Sequence, residues 1–557
     1  MDLVLVGLPG SGKTAVGRRI AARHGAAFVD LDDEVEKAAG ITIAEIFEAE
    51  GEAGFRRRER AVVAALGPAD TGATLRRVIS TGGGAIVDPR NRWALFRGRR
   101  VAWLDVRPEV LAQRLRHSPV VRPLVQSGDP LGRIRALALA RERLYGAATR
   151  FNGVAEVGSV VGAIERFVTE GPTGAPGRTH GDGGTTLLRA TTAIGEVVIG
   201  EGVAVAAVST ALQRLGARRA VIVSEPRAWA AVGEGVAAGL AAEGWSLDTV
   251  MLPGGEEAKR LSVIEDAARQ LARLRVERGD PLIAVGGGAL GDPAGFLAAA
   301  YLRGVPWIQV PTTLAAQVDS SIGGKTGVDL PEGKNLLGAF HQPAAIVMDV
   351  ALLRTLPERQ LRAALGEIVK MAAVGDEALF ATLEADGEAI AAGDDAAFES
   401  GAVAEVVERA GWAKVEVVTA DEREHGAAGG RIALNLGHTV AHALEAIGGY
   451  ATLMHGEAVG YGLRAAVRIG AAMGVTPEAR AARIEGLLDR LALGVAPLPY
   501  SPDAVLAAAA TDKKHAGGRL RWVLPTADGM AVRDDVPDAP VLAAIEGVVA
   551  GRTGGGA

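Results

Sequence analysis

The sequence contains no cysteine, which excludes disulfide staples and zinc–thiolate sites and fits a reducing compartment such as the cytoplasm. It also lacks an excess of positive charge. With a formal net charge of -6, no general basic field exists to favour nucleic acid as a partner. Long apolar runs are missing too: stretches such as Ala504 to Ala510 are short and alanine-rich, so no membrane association is expected. The opening Met1-Asp2-Leu3-Val4-Leu5-Val6 carries an acid and runs into a glycine loop, unlike a signal peptide. Lysine is scarce, with 9 lysines against 51 arginines. Where arginine is the default cation, a surviving lysine points to a site that needs a compact ammonium.

What is present is ordinary for a globular protein: 48% hydrophobic and 23% charged residues over 557 positions. That length suggests three or four compact units. Residues 170–186 contain the run EGPTGAPGRTHGDGGTT, rich in Gly, Pro and Thr without an apolar period, and read as a linker. Before it, residues 1–169 alternate short apolar runs with helical patterns, as a parallel sheet requires. After it, residues 187–350 alternate likewise, through VIVSEP at 221–226, PLIAVGGG at 281–288, WIQVPTT at 307–313 and AAIVMDV at 344–350. Residues 351–557 are mostly helical and alanine-rich. No internal repeat is evident.

The first segment opens with Gly7-Leu8-Pro9-Gly10-Ser11-Gly12-Lys13-Thr14 between an apolar strand and a helical run. This is the G-x-x-x-x-G-K-[ST] phosphate loop, whose backbone N–H groups, at Gly10, Ser11 and Gly12, turn toward phosphate oxygens. Lys13 then reaches the β and γ phosphates of ATP, and the Thr14 hydroxyl ligates Mg²⁺. Phe28-Val29-Asp30-Leu31-Asp32 reads as a strand end with two acids on one face. Gly51-Glu52-Ala53-Gly54-Phe55-Arg56, Thr81-Gly82-Gly83-Gly84-Ala85, Arg122-Pro123-Leu124 and Arg141-Glu142-Arg143-Leu144-Tyr145 follow in order. Taken together, residues 1–169 resemble shikimate kinases, with a P-loop NTPase-like parallel sheet. The resemblance implies that Asp32 binds the shikimate hydroxyls and helps as a base, with Asp30 near the Mg²⁺ shell. Arg56 and Arg141 hold the substrate carboxylate, and Gly83 allows its approach. Arg122 contacts ATP from a lid that includes Gly128. Paired arginines suit a carboxylate because each offers two parallel donors.

The second segment places Gly286-Gly287-Gly288-Ala289-Leu290-Gly291-Asp292 after a strand. Around it stand Gly255-Glu256-Glu257-Ala258-Lys259, Val310-Pro311-Thr312-Thr313, Val318 through Lys325, and Gly333-Lys334-Asn335. One carboxylate in Gly366-Glu367 and imidazoles in His438-Thr439-Val440-Ala441-His442 and Met454-His455-Gly456 offer a catalytic zinc set with open positions. His438 and His442 lie at i and i+4, so they could also be read as a ligand pair. Seven of the nine lysines (Lys259, Lys325, Lys334, Lys370, Lys414, Lys513 and Lys514) lie after residue 187.

This series is similar to 3-dehydroquinate synthase from about residue 187 to 540. The resemblance implies a Rossmann-like α/β NAD domain followed by a mostly α-helical metal-binding domain. NAD⁺ would contact Glu256, Lys259, Gly287, Gly288, Asp292, Thr312, Thr313, Lys325, Lys334 and Thr355; Glu225 replaces the family's usual Asn or Asp, and its part is open. Glu367, His438 and His455 would bind Zn²⁺ or Co²⁺. Asp319, Lys325, Lys370 and His442 would be catalytic groups at the substrate, 3-deoxy-D-arabino-heptulosonate 7-phosphate, with His442 at its phosphate. Asn335, Lys414, Arg431, Asn435 and Lys514 (or its neighbour Lys513) would surround it, and Arg303 would reach the phosphate across a homodimer interface. The implied reaction oxidises the substrate transiently, eliminates phosphate, returns the hydride and closes the carbocycle, leaving NAD⁺ unchanged overall. The rival readings are a metal-dependent polyol dehydrogenase or another sugar phosphate cyclase for this half. For the first half the rival is a nucleotide-binding scaffold without catalysis.

Overall fold

The computed structural model describes residues 1–116, 129–170, 184–421, 431–511 and 520–551. Its contacts group into two compact units rather than three or four. One comprises Met1–Arg218 with Gly239–Trp245 and Val347–Ala351, and the other holds the remaining segments. Among the described residues no helix is long and apolar enough to cross a membrane.

The first unit contains a five-stranded sheet in the order β2-β3-β1-β4-β5. Its strands are β1 (Asp2–Val6), β2 (Ala27–Asp30), β3 (Arg77–Ser80), β4 (Arg100–Asp105) and β5 (Thr149–Asn152). Every pairing is parallel. Central β1 is buried along its whole length, which is why it reads as an unbroken apolar run. Even its acid, Asp2, is fully buried, paired with Arg77 at 2.6 Å and Arg99 at 3.2 Å. The chain leaves β1 for β2 on one side and later crosses to β4 on the other, so the phosphate loop after β1 sits at the switch point of the sheet. Helices α1 (Lys13–His24), α2 (Leu31–Ala39), α3 (Ile43–Ala65) and α4 (Pro130–Tyr145) carry the candidate side chains. The α3 helix is broken at Gly51, whose φ of 67° is not helical. The antiparallel pair β6 (Thr185–Thr192) and β7 (Gly195–Glu201) belongs to this unit too. The first strand of that pair begins inside the Gly/Pro/Thr-rich run.

One local expectation fails. Asp30 ends β2, but Asp32 lies in the first turn of α2, so the two acids do not share a strand face. Asp30 instead caps α2, accepting a hydrogen bond from the Asp32 backbone N–H at 3.2 Å. Three acids in the first turn of α2 favour that helix start through its dipole.

A second sheet runs β6-β7-β14-β11-β10-β8-β9. Here β8 is Arg219–Ser224, β9 Ser246–Met251, β10 Leu282–Gly286, β11 Trp307–Pro311 and β14 Ala345–Asp349. These five are joined by parallel pairings. From β8 the chain steps outward to β9 and then returns to β10 on the other side, which places a second switch point between β8 and β10. A two-stranded hairpin, β12 (Lys325–Leu330) with β13 (Gly333–Phe340), follows. Helix α5 (Gly288–Ala300) starts directly after β10. Among the described residues beyond β14 the regular structure is helical apart from one small antiparallel pair, Trp522–Pro525 with Met530–Arg533. The site-bearing helices are α6 (Glu358–Val374), α7 (Ala402–Ala420), α8 (His438–Ile447) and α9 (His455–Ala472).

Candidate active sites

In the first unit the phosphate loop needs left-handed backbone, and glycines supply it: φ is 82° at Gly10 and 96° at Gly12. Lys13 is buried, with Nζ donating to the carbonyls of Gly7 (2.8 Å) and Leu8 (3.2 Å). The Thr14 hydroxyl donates to Asp30 Oδ2 at 2.8 Å and lies 3.4 Å from Ser80 Oγ. A hydroxyl, a carboxylate and a second hydroxyl beside a phosphate loop are hard oxygen ligands suited to Mg²⁺.

The glycine loop after β3 gathers the residues expected from the sequence to form the acceptor site. A Cβ on Gly82 would stand 2.4 Å from Asp32 Oδ1, and one on Gly84 would stand 2.5 Å from Arg56 Nη2. Arg141, buried on α4, donates to the Gly83 carbonyl at 2.5 Å. Asp32, Arg56, Gly83 and Arg141 therefore meet at one loop. Arg56 is itself held by Glu59 (2.8 Å) and Glu52 (3.1 Å). Glu59 is almost fully buried; burial, with Asp32 nearby, raises its carboxyl despite Arg56. Arg122 lies outside the described residues.

In the second unit α5 begins at Gly288, so free N–H groups face the crevice at the ends of β8 and β10, where a pyrophosphate is favoured. A Cβ on Gly288 would be 2.5 Å from Ser320 Oγ, so a side chain there would have to displace that hydroxyl. Thr312 is buried beyond β11, and the Thr313 hydroxyl accepts from the Ala316 N–H at 3.2 Å. Thr355 is exposed, and its hydroxyl donates to the Leu352 carbonyl at 3.0 Å. Glu225 caps the turn after β8, accepting from the N–H groups of Arg227 (3.0 Å) and Ala228 (2.7 Å). Both its oxygens are thus engaged by backbone.

The lysines are arranged against carboxylates. Lys259 Nζ donates to Asp292 (2.6 Å) and Asn335 (3.3 Å), and Lys334 to Glu256 (3.0 Å). Lys370 pairs with Glu367 and Lys414 with Asp319, all four carried by or packed beside α6 and α7. Burial lowers the Lys414 pKa despite Asp319. Burial alone would raise Asp319, yet Lys414 and Lys370 hold it below its ordinary value. Lys325 opens β12 and is exposed. Asn335 takes a φ of 54° and Arg303 one of 67°, both rare for non-glycine residues. Arg303 and Asn435 are exposed.

Three donors converge where His438 and His455 open α8 and α9 against Glu367, within α6. Glu367 Oε1 is buried and makes no hydrogen bond; it faces His438 Nε2 at 3.4 Å and His455 Nε2 at 3.1 Å. An orphaned buried carboxylate oxygen between two imidazole nitrogens fits a divalent cation, and the mixed N/O set suits Zn²⁺ or Co²⁺. Burial would raise Glu367, but Lys370, His438 and His455 together hold it well below the carboxylate range. Burial likewise opposes charge on His455, yet Glu367 and Glu445 outweigh it and raise its pKa to about 10. His442 stands beside both rings, 5.3 Å from that of His438 and 6.0 Å from that of His455. It also belongs to a second ligand-spaced group with Glu445 and His455.

Sequence reading missed Glu52, Glu59 and Glu445. Helical spacing was the available signal: Glu59 is three residues after Arg56, and Glu445 is seven after His438, on the same helical face. Lys513 and Lys514, and the side chain of Arg431, lie outside the described residues.

Comparison with known proteins finds relatives for both halves of the chain. The shikimate kinase family profile matches residues 9–156. The 3-dehydroquinate synthase N-terminal and C-terminal profiles match 249–363 and 364–515. The chain is 42% identical over 356 residues to the 3-dehydroquinate synthase of Caulobacter vibrioides, covering 62% of this chain and 94% of that one. It is 44% identical over 326 residues to the same enzyme of Symbiobacterium thermophilum, covering 58% and 88%. Among solved structures it is similar to ValA, a 2-epi-5-epi-valiolone synthase from Streptomyces hygroscopicus subsp. jinggangensis 5008 with NAD⁺ and Zn²⁺ bound. That likeness has a TM-score of 0.54 and 30% identity, over 59% of this chain and 90% of that one. The chain belongs to the 3-dehydroquinate synthase family, and ahead of that enzyme it carries a shikimate kinase.

Proposed function

We propose that the first site phosphorylates shikimate from ATP and that the second converts 3-deoxy-D-arabino-heptulosonate 7-phosphate to 3-dehydroquinate with release of phosphate. Four parts carry this work: kinase over 1–169, linker over 170–186, NAD domain over 187–350 and metal and substrate domain over 351–557. In the kinase, Lys13 moves from its loop carbonyls to the nucleotide phosphates, and Thr14 with Asp30 holds Mg²⁺. Arg56 and Arg141 clamp the shikimate carboxylate, Asp32 accepts the proton of the attacking hydroxyl, and Arg122 covers the phosphates. Positioning and charge neutralisation supply most of the rate in such a transfer.

In the synthase, NAD⁺ supplies a reversible hydride acceptor and Zn²⁺ (or Co²⁺) a Lewis acid. Glu256, Lys259, Gly287, Gly288, Asp292, Thr312, Thr313, Lys325, Lys334 and Thr355 surround the nucleotide. Glu367, His438 and His455 hold the metal. Lys370, Lys414, Asn335, Arg431, Asn435 and Lys514 bind the substrate anions and hydroxyls, with Asp319 setting the charge of Lys414. His442 serves the phosphate, and Arg303 reaches it from the partner in a homodimer. The protein works in the cytoplasm, as the absence of cysteine suits.

The observation that carries this reading is the buried, unpartnered Glu367 oxygen facing two imidazole nitrogens beside paired lysines. The test is phosphate release from the heptulosonate phosphate with NAD⁺ and Zn²⁺, with and without a chelator, alongside shikimate-dependent ADP release from ATP. Chelator-sensitive release over a flat NADH baseline is expected. Steady NADH accumulation on simple polyols would instead make the second site a dehydrogenase.

A further inference from the structure

The two imidazoles facing Glu367 are held in different ways. His438 is mostly buried, and its Nδ1 lies 3.2 Å from the Leu436 carbonyl, two residues back in its own chain. A backbone carbonyl accepts only, so Nδ1 carries the proton and Nε2 is left with a lone pair toward Glu367. His455 has no such backbone partner in the described hydrogen bonds. It is the first residue of α9, and its side chain is 43% exposed, so packing fixes this ring less than that of His438, at 14%. What meets its Nδ1 is the carboxylate of Glu445, with both oxygens at 3.2 Å. The Glu445 side chain is only 11% exposed and sits on α8 two turns beyond His438. One helix thus carries one imidazole and the brace for the other.

We infer that Glu445 is a positioning residue that locks His455 in the orientation and tautomer presenting Nε2 to the divalent cation, an inference that rests on the metal reading above. The alternative use of Glu445, as a direct ligand with His442 and His455, requires His455 to give its Nδ1 lone pair to a metal that takes the place of the Nδ1 proton. The ring cannot do that while Nδ1–H donates to Glu445. Outer carboxylates of this kind raise ligand basicity, and their loss weakens metal binding by about 10- to 100-fold.

The experiment uses the full chain, stripped of metal and titrated with Zn²⁺ against a chromophoric chelator, for wild type, E445Q, E445L and E445A. The glutamine amide oxygen still accepts from Nδ1–H, so E445Q is expected to keep most of the affinity, while E445L and E445A lose about 10- to 100-fold. Their Co²⁺ forms should show altered visible absorption while that of E445Q stays like wild type. Leucine keeps the volume, so one of the two truncations folding as the stripped wild type does, judged by melting temperature, suffices. Unchanged Zn²⁺ affinity in a folded E445L or E445A overturns the inference and leaves the metal reading standing. So does a second Zn²⁺ per wild-type chain that is lost in E445L or E445A, which would make Glu445 a ligand, since an ion held at Thr14 and Asp30 would survive those substitutions. Failure of the wild type to bind any divalent cation overturns both.

Discussion

In the proposed kinase site Arg56 would offer its guanidinium to an incoming carboxylate, yet it already sits between Glu52 and Glu59. Glu52 is exposed and can be displaced into water, whereas Glu59 is buried and stays. Glu59 therefore fixes the aim of Arg56 rather than competing for it. Glu59→Gln weakens one charge-assisted bond, worth roughly 1.5–3 kcal/mol. The KM for shikimate should rise by about tenfold or more on that basis, with the KM for ATP unchanged. An equal rise in both would mean that the site had collapsed instead of losing its aim. Residue chemistry was legible where a residue type is scarce: in a chain of arginines, Lys259, Lys370 and Lys414 stood out, and each is buried against a carboxylate. The acids that brace Arg56 and His455 were hidden, because Glu and Asp are common and little beyond helical spacing marks Glu59 and Glu445.

His455 carries a second residue-scale consequence. In the metal-free chain its pKa is raised from 6.5 to about 10 by Glu367 and Glu445 against the effect of burial, so the ring is charged at neutral pH. A cation must displace that proton, so binding releases protons and affinity falls as pH is lowered. Calorimetry of Zn²⁺ binding in two buffers of different ionisation enthalpy should give different heats; identical heats would refute the proton release. The sign for folding is the opposite of metal affinity. A raised pKa contributes stability that is complete below 6.5 and is lost as pH climbs toward about 10. The stripped chain should lose this part of its stability across that window, and H455Q should not show it.

Helices α6 and α9 deliver Glu367 and His455 to the same point, and glycines next to those two proposed ligands make this possible. A Cβ on Gly366 would lie 2.1 Å from the Gly456 carbonyl oxygen, and one on Gly456 would lie 1.8 Å from the Ala363 carbonyl oxygen. The two backbones touch with no room for a methyl group on either side. Gly456→Ala must push the start of α9 away from α6, costing about 1–3 kcal/mol by overpacking and carrying His455 with it. The expected result is a lowered melting temperature together with loss of bound zinc by elemental analysis. Full zinc occupancy in a destabilised variant would show that the crossing serves packing alone. In the sequence, Gly366-Glu367 and His455-Gly456 look like glycines beside ligands, and nothing local reveals that they meet. The same limit explains Asp32: the acids of Asp30-Leu31-Asp32 were visible, but the start of α2 at Leu31 depends on capping by Asp30 rather than on strand alternation.

For the molecule as a whole, the buried parallel strands were the easiest elements to find. The runs near 221–226, 281–288, 307–313 and 344–350 became β8, β10, β11 and β14, because strands covered on both faces are continuously apolar. Their order across the sheet was not legible, since it depends on crossovers rather than on any strand's own residues. The β12–β13 hairpin escaped notice because it is polar, glycine-bearing and half exposed. Arg303 poses the remaining whole-molecule question. Unlike Lys259, Lys370 and Lys414, it makes no ion pair among the described residues, and it is exposed. With Leu302 it holds consecutive φ values of 49° and 67°. Left-handed backbone at two non-glycine residues costs about 1–3 kcal/mol each, which suits a loop fixed for a purpose outside its own fold. If that purpose is a neighbour's phosphate site, the arginine acts in trans, and complementation can detect it. R303A and H438A should each be nearly inactive in phosphate release. After subunit exchange between equal amounts, half the dimers pair the two variants, and each such dimer has one site with both residues intact. Activity should then recover to about a quarter of wild type in a symmetric two-site dimer. If Arg303 acts within its own chain, no mixed dimer contains an intact site, and the mixture stays as inactive as its parts.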